Sequence, residues 1–244
     1  MNISVIVQIR MGSTRLPGKT FLDLAGKPLI YHVINRLKLT KKVNELIIAT
    51  TKNNDDDEIE RWCNNHKIKC YRGSENNVLE RFYKCAQKYN SDYIVRVTGD
   101  DPFKDYRIID KAVEIIISNN YDFVCNNSPA SYPEGLDVEV FTKGTLTKIY
   151  ENVSSDEEKE HVTLYVHNNK SLFKTFNMEN SEDLSNHRWT IDYEEDYNFA
   201  KKIYDKLYFK KNIFLTEDIY KVLKENSSLL SINNNQKKSI LYEK

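Results

Sequence analysis

Residues 3–19, ISVIVQIRMGSTRLPGK, join a β-branched apolar run to a basic loop. Ile3, Val5, Ile6, Val7 and Ile9 leave no room for a helix and read as a strand buried on both faces, as in a parallel sheet. From Arg10 to Lys19 the chain then carries Gly12, Gly18, Pro17, the hydroxyls of Ser13 and Thr14, and three cations, Arg10, Arg15 and Lys19. Such a segment cannot continue the sheet but can wrap an anion. Glycines let backbone N–H groups approach phosphate oxygens, and Arg and Lys add charge-assisted hydrogen bonds. The carboxyl end of the first strand is also where open α/β sheets bind ligands, so the expected guest is a polyanion such as a nucleoside triphosphate. The loop is not at P-loop spacing, because five residues rather than four separate Gly12 from Gly18-Lys19-Thr20, and no GxGxxG is present, which sets aside the two standard phosphate-loop mechanisms.

Working outward, Leu29, Ile30, Val33, Ile34 and Leu37 recur at helical spacing, and residues 45–51 read as a second buried strand. The acidic run Asn53–Asp57 opens a helix where the macrodipole favours carboxylates. Extended stretches at 67–71, 93–97 and 122–125 alternate with helices at 77–89 and 108–119, the rhythm of βαβ units. The fold expected is therefore α/β, Rossmann-like (GT-A-like), with a mainly parallel mixed sheet flanked by helices. Past Asn126 the rhythm changes. Residues 137–141 alternate polar and apolar, the mark of a half-exposed strand; 172–176 is another extended candidate, and a helix carries Glu160, His161, Leu164 and Tyr165 between them. Arg188–Asp192 reads as a return to the sheet, followed by helices at 194–207 and 216–225. The expected organisation is one domain, 1–244, with a β-rich insertion at 127–187 over one sheet edge. The polar stretch after Ser231 is expected to fray.

Two acids complete the candidate site. Asp100 follows a buried strand at a Gly-Asp step, and Asp192 follows the apolar end of another segment. Carboxylates beside a triphosphate have one strong use, to hold Mg²⁺, which prefers oxygen ligands and neutralises charge developing on the phosphate.

The segment Ser13-Thr14-Arg15-Leu16-Pro17-Gly18-Lys19, with Gly26-Lys27-Pro28-Leu29-Ile30 after it, resembles the signature loop of the sugar cytidylyltransferases. That group includes the 3-deoxy-manno-octulosonate and acylneuraminate enzymes. Residues 132–139 and Glu160-His161-Val162-Thr163 resemble its SpsF-like, spore-coat-polysaccharide branch. The resemblance implies transfer of CMP from CTP to a sugar, sugar acid or phosphorylated metabolite, with release of pyrophosphate, in surface polysaccharide or glycoconjugate biosynthesis. It implies nucleotide contacts from Ile9, Arg10, Met11, Gly12, Ser13, Arg15, Lys19, Thr98 and Gly99, and from Arg72 near the base, where the Glu80-Arg81 pair also matches. It assigns Mg²⁺ to Asp100 and Asp192, which with Arg15 and Lys19 form the catalytic set. Asp137, Glu139 and His161 fall where an acceptor would bind, and related enzymes imply a homodimer. One departure bears on base selection: the octulosonate enzymes have Gln before the Gly-Asp step where this chain has Thr98. The rival readings are a GT-A-like glycosyltransferase using a nucleotide sugar, whose usual Asp-x-Asp includes neither Asp100 nor Asp192 here, and a nucleotide-binding regulatory module.

Composition narrows the partners. Basic and acidic residues balance at 36 each, so no global field recruits nucleic acid or an anionic membrane, and any positive site must be local. Cys63, Cys70, Cys85 and Cys125 form no CxxC pair and no metal spacing with the five histidines. They read as thiols of a reducing compartment. With no leader-like start and no apolar run near the ~20 residues of a membrane span, the expected location is cytoplasmic.

Overall fold

The computed structural model describes residues 1–236. Its centre is β1 (Ile3–Gln8), which alternates its side chains between two apolar layers. Ile3, Val5 and Val7 face one layer, and Ile6 faces the other. β4 (Glu45–Thr51) and β6 (Tyr93–Thr98) flank β1 in parallel register, and β5 (Lys69–Gly73) extends the sheet beyond β4. A small hairpin of β2 (Asp23–Leu24) and β3 (Lys27–Pro28) stands apart. With β7 (Phe123–Cys125), β8 (Glu139–Thr142) and β9 (Thr175–Asn177), the seven-stranded sheet runs β5-β4-β1-β6-β8-β7-β9.

Helices cover both faces, as buried parallel strands require. α1 (Leu29–Leu37), α2 (Asp57–Asn65), α4 (Tyr106–Asn119), α8 (Glu194–Leu207) and α9 (Thr216–Glu225) pack into the layer of Val5 and Val7. α3 (Val78–Lys88) and α5 (Lys143–Asn152) pack into the layer of Ile6. The chain passes leftward from β1 to β4 and β5, then returns to the other side of β1 for β6. The strand order thus reverses between β1 and β6, and the loops after these two strands open onto the same crevice.

The expected α/β class and mainly parallel sheet hold, with differences in the later half. β8 is buried rather than half-exposed, because it lies inside the sheet, antiparallel to both β6 and β7. Its polar alternation marks an internal ion pair: Glu139 is the register partner of Arg96, and the two side chains meet at 2.7 Å. The stretch 127–187 thus supplies an interior strand and the β9 edge. β9 begins three residues later than the extended candidate at 172–176, after a 3₁₀ turn at Lys170–Leu172. The single helix expected around His161 is two short ones, α6 (Asp156–Glu160) and α7 (Leu164–Asn168), with His161 at the break. Residues 188–192 form no strand of the main sheet; Arg188 makes an isolated bridge with Glu134. The crossing is possible because Gly135, at φ +101°, lies so close that a Cβ would stand 2.7 Å from Thr190 N. The stretch expected to fray is anchored at Asn233, which is 5% exposed and bonded to Arg188 O and Asp196; residues 237–244 lie outside the described ones.

His32 gives the fold an acid-sensitive point. Its ring is buried against Tyr204 and Tyr208, with Nε2 2.7 Å from Leu24 O. Burial pushes its pKa down from 6.5 to about 4. The unfolded chain therefore binds the extra proton first, and stability falls as pH drops through the window from 6.5 to 4, by on the order of 3 kcal/mol at full effect. Urea unfolding at pH 7 and pH 4.5 is expected to show this loss, and His32→Gln to remove much of the difference.

Candidate active site

The basic loop is pinned before it reaches any ligand. Met11 N donates to Asp56 Oδ1 (2.7 Å), whose other oxygen accepts from Thr51 N (2.9 Å), so the loop after β1 is tied to the end of β4. Burial opposes ionisation of Asp56, and hydrogen bonds from Thr51 and Met11 outweigh it, holding its pKa below the usual carboxylate range. Thr20 Oγ1 donates back to Arg10 O (3.2 Å), closing the loop on itself.

The acids arrive from distant chain segments. Asp100 follows β6, where Gly99 lies so near Ile9 that a Cβ would fall 2.5 Å from Ile9 Cδ1. Asp192 is carried in by backbone pairing: Ile191 N donates to Asp100 O (2.9 Å). Lys19 joins them. Its ammonium donates to Asp100 Oδ2 (2.8 Å), Asp192 Oδ1 (2.9 Å) and Ile191 O (2.8 Å). Arg15 adds a contact to Asp192 Oδ1 at 3.0 Å and stacks over Tyr193. Burial works against the charge on both Lys19 and Asp100, yet their mutual attraction wins: the Lys19 pKa is raised and that of Asp100 lowered. The result is two carboxylates and a lysine held in a crevice floored by strand ends.

Of the residues expected to bind nucleotide, Ile9, Arg10, Ser13, Arg15, Lys19, Thr98 and Gly99 line one cavity of about 240 Å³ with Asp100 and Asp192. Met11 and Gly12 do not line it. Arg72 lies elsewhere: its guanidinium is spent on Thr51 O, Asn53 O, Asp57 and Glu60, beside α2. The arginine brought toward the crevice is Arg81 of α3, which is 1% exposed. It lines a second cavity of about 640 Å³, which shares Gln8 and Arg10 with the first. Gln8 Oε1 and Arg81 Nε are both buried without a hydrogen-bond partner. Gln8 was not singled out in the sequence because it ends an apolar strand; its one signal is a polar side chain at the strand's carboxyl end.

The three expected acceptor residues separate. Glu139 is 1% exposed and enclosed by Arg96, Thr163 Oγ1 (2.9 Å), Asn127 Nδ2 (3.4 Å) and His167 (3.6 Å from Nε2), so it has no open face for an acceptor. His161 is half-buried and lines neither cavity; burial pushes its pKa down. Asp137 accepts from Gly135 N (3.1 Å), and its carbonyl accepts from Lys104. Asp101, next to Asp100, is committed to Thr98 Oγ1 (2.7 Å) and Lys104 (2.9 Å), and burial pushes its pKa up to about 7.

A doubly wound sheet with a cationic loop facing two acids at its switch point defines a Rossmann-like α/β protein. The comparisons carry this further. The cytidylyltransferase family profile matches residues 4–239, and the chain belongs to that family. It is 37% identical over 237 residues to an uncharacterized protein of Methanocaldococcus jannaschii, covering 96% of each. It is 34% identical over 214 residues to the spore coat polysaccharide biosynthesis protein SpsF of Bacillus subtilis, covering 84% of this chain and 87% of that one. A solved cytidylyltransferase structure from Leptospira borgpetersenii superposes with a TM-score of 0.90 at 34% identity, over 98% of this chain and 99% of the other. Among the described residues no helix is long and apolar enough to cross a membrane.

The donor set fits a magnesium ion. Mg²⁺ is commonly held by one or two carboxylates with waters and substrate phosphates, and Asp100 and Asp192, converging on a single ammonium, offer that number. Among the described residues no group of three or more His, Cys, Asp or Glu side chains could form an all-protein metal cage.

Proposed function

We propose that the protein transfers CMP from CTP to a hydroxyl of a sugar, sugar acid or phosphorylated metabolite, releasing pyrophosphate, in surface polysaccharide or glycoconjugate synthesis. The observation carrying this reading is the Lys19 ammonium bridging Asp100 and Asp192 beside the basic loop. Arg10, Ser13, Arg15 and Lys19 would bind and orient the triphosphate. The larger cavity, with Arg81 and Gln8 on its walls, would take the base and ribose. Gln8 Oε1 can accept from an exocyclic amine and Arg81 can donate to a ring nitrogen or carbonyl, a pairing that suits cytosine.

Asp100 and Asp192 would hold Mg²⁺, which when bound supplies neutralisation of charge developing at the α-phosphate. Lys19 favours the ionised form of Asp100 and adds a third cationic contact to the transferring group. No covalent enzyme intermediate is required, since positioning and charge compensation can carry phosphoryl-group chemistry. Asp137 and His161 are the residues of the carboxyl half to test for acceptor contact, and a homodimer is the assembly the family resemblance favours.

Purified protein incubated with CTP, Mg²⁺ and a panel of sugars, sugar acids and phosphorylated metabolites is expected to release pyrophosphate and yield a cytidylylated product identified by mass. UTP, ATP and GTP are expected to be poor donors. Sugar transfer from a nucleotide sugar without pyrophosphate release would overturn the reading.

A further inference from the structure

Asp192 faces two ways. Its Oδ1 meets Lys19 and Arg15 in the crevice, whereas its Oδ2 meets Arg188 Nη2 at 3.1 Å. Arg188 is buried, its side chain 5% exposed, and its fork reaches three acids. Nε and Nη2 grip the two oxygens of Asp196 at 2.9 and 3.1 Å, and Nη1 meets Glu134 at 2.7 Å. Asp196 in turn accepts from Asp192 N (3.0 Å) and Tyr193 N (3.1 Å), capping the start of α8. The assembly is latched from the far end of the chain. Asn233 Nδ2, just after the 3₁₀ turn at Ser227–Ser231, donates to Arg188 O (3.0 Å) and to Asp196 Oδ1 (2.9 Å).

We propose that Arg188, gripped by Asp196 and latched by Asn233, is a positioning residue: it fixes Asp192 so that Oδ1 alone is presented to the metal and triphosphate. This rests on the proposed function of the same site. The physical ground is geometric. Asp192 lies on a segment outside the main sheet, so no ladder of strand hydrogen bonds sets its orientation. A planar guanidinium can hold two carboxylates in fixed relation, which a lysine's point charge cannot. Because Arg188 takes Oδ2 from behind, Oδ1 stays on the crevice side with Lys19 and Arg15.

The test uses the full chain with Arg188→Lys and Asn233→Ala, and Leu229→Ala as a control for lost packing in the same carboxyl-terminal segment. CTP turnover is followed with a competent acceptor, and Mn²⁺ binding in the presence of CTP by electron paramagnetic resonance. Arg188→Lys is expected to lower kcat by about 10–100-fold, the range reported for losing an outer-shell partner of a metal ligand. Its Mn²⁺ affinity should weaken severalfold with KM for CTP little changed. Asn233→Ala should shift both readouts in the same direction by less, and Leu229→Ala should lower the melting temperature without moving Mn²⁺ affinity. Unchanged kcat and Mn²⁺ affinity in Arg188→Lys would overturn the proposal. So would Mn²⁺ losses in Leu229→Ala equal to those in Asn233→Ala, which would mark a role in folding alone. Wild-type protein that neither turns over CTP nor binds Mn²⁺ would instead overturn the proposed function on which this inference stands.

Discussion

Replacing Lys19 by methionine is expected to lower kcat for cytidylyl transfer by about 10²–10³, the range seen when one preorganised donor to developing charge is removed. The side chain keeps its length and loses the ammonium that touches Asp100, Asp192 and the Ile191 carbonyl together. Two effects combine. The transferring phosphate loses a cation, and Asp100 and Asp192 face one another without the ammonium that now lies between them and lowers the Asp100 pKa. Lys19→Arg is expected to recover little, because a planar fork cannot reproduce three contacts made by a compact ammonium in a half-enclosed site. Pyrophosphate release under saturating CTP measures the effect, with circular dichroism to confirm folding. A methionine variant with kcat within about threefold of wild type would contradict the assigned role.

A second large effect is expected in stability rather than catalysis. Glu139→Leu leaves the half-enclosed Arg96 without its carboxylate, and breaking one side of a buried pair costs about 3–5 kcal/mol. Burial alone would raise the Glu139 pKa, but Arg96 and then His167 outweigh it and bring the value to about 2. The sign follows from a depressed acid: its contribution is full above the unfolded value near 4.5 and is lost as pH falls through about 2. Urea unfolding at neutral pH should show the loss in Glu139→Leu, and Arg96→Met combined with Glu139→Leu should recover part of it. Because Glu139 has no open face, KM for the acceptor should stay near wild type in any folded variant. A stable Glu139→Gln protein that no longer uses its acceptor would reverse this assignment.

That Glu139 looked like a site residue shows where reading the chain runs out. Along one strand, an acid between valines has the same spacing whether it faces water or a cation on the neighbouring strand. Only the register that sets Glu139 opposite Arg96 separates the two cases. Arg72 and Arg81 raise the same difficulty on the basic side. Both lie near the turn after β5, yet Arg72 is consumed by Asp57 and Glu60, while the helical position of Arg81 carries it to the cavity wall. Asn233 belonged to a stretch that composition marked as loose, and its anchoring depends on partners at 188 and 196.

What the chain alone determined is local in origin: the buried strand Ile3–Gln8, the glycine- and cation-rich loop after it, the helices set by apolar spacing, and the acids at strand ends. These follow from side-chain period and backbone freedom, which act over a few residues. Tertiary structure alone decided which of the acids and arginines share a crevice. That choice is made by strand order and by the crossing of residues 188–192 past Gly135, contacts between segments far apart in sequence whose closeness only packing of the whole sheet creates.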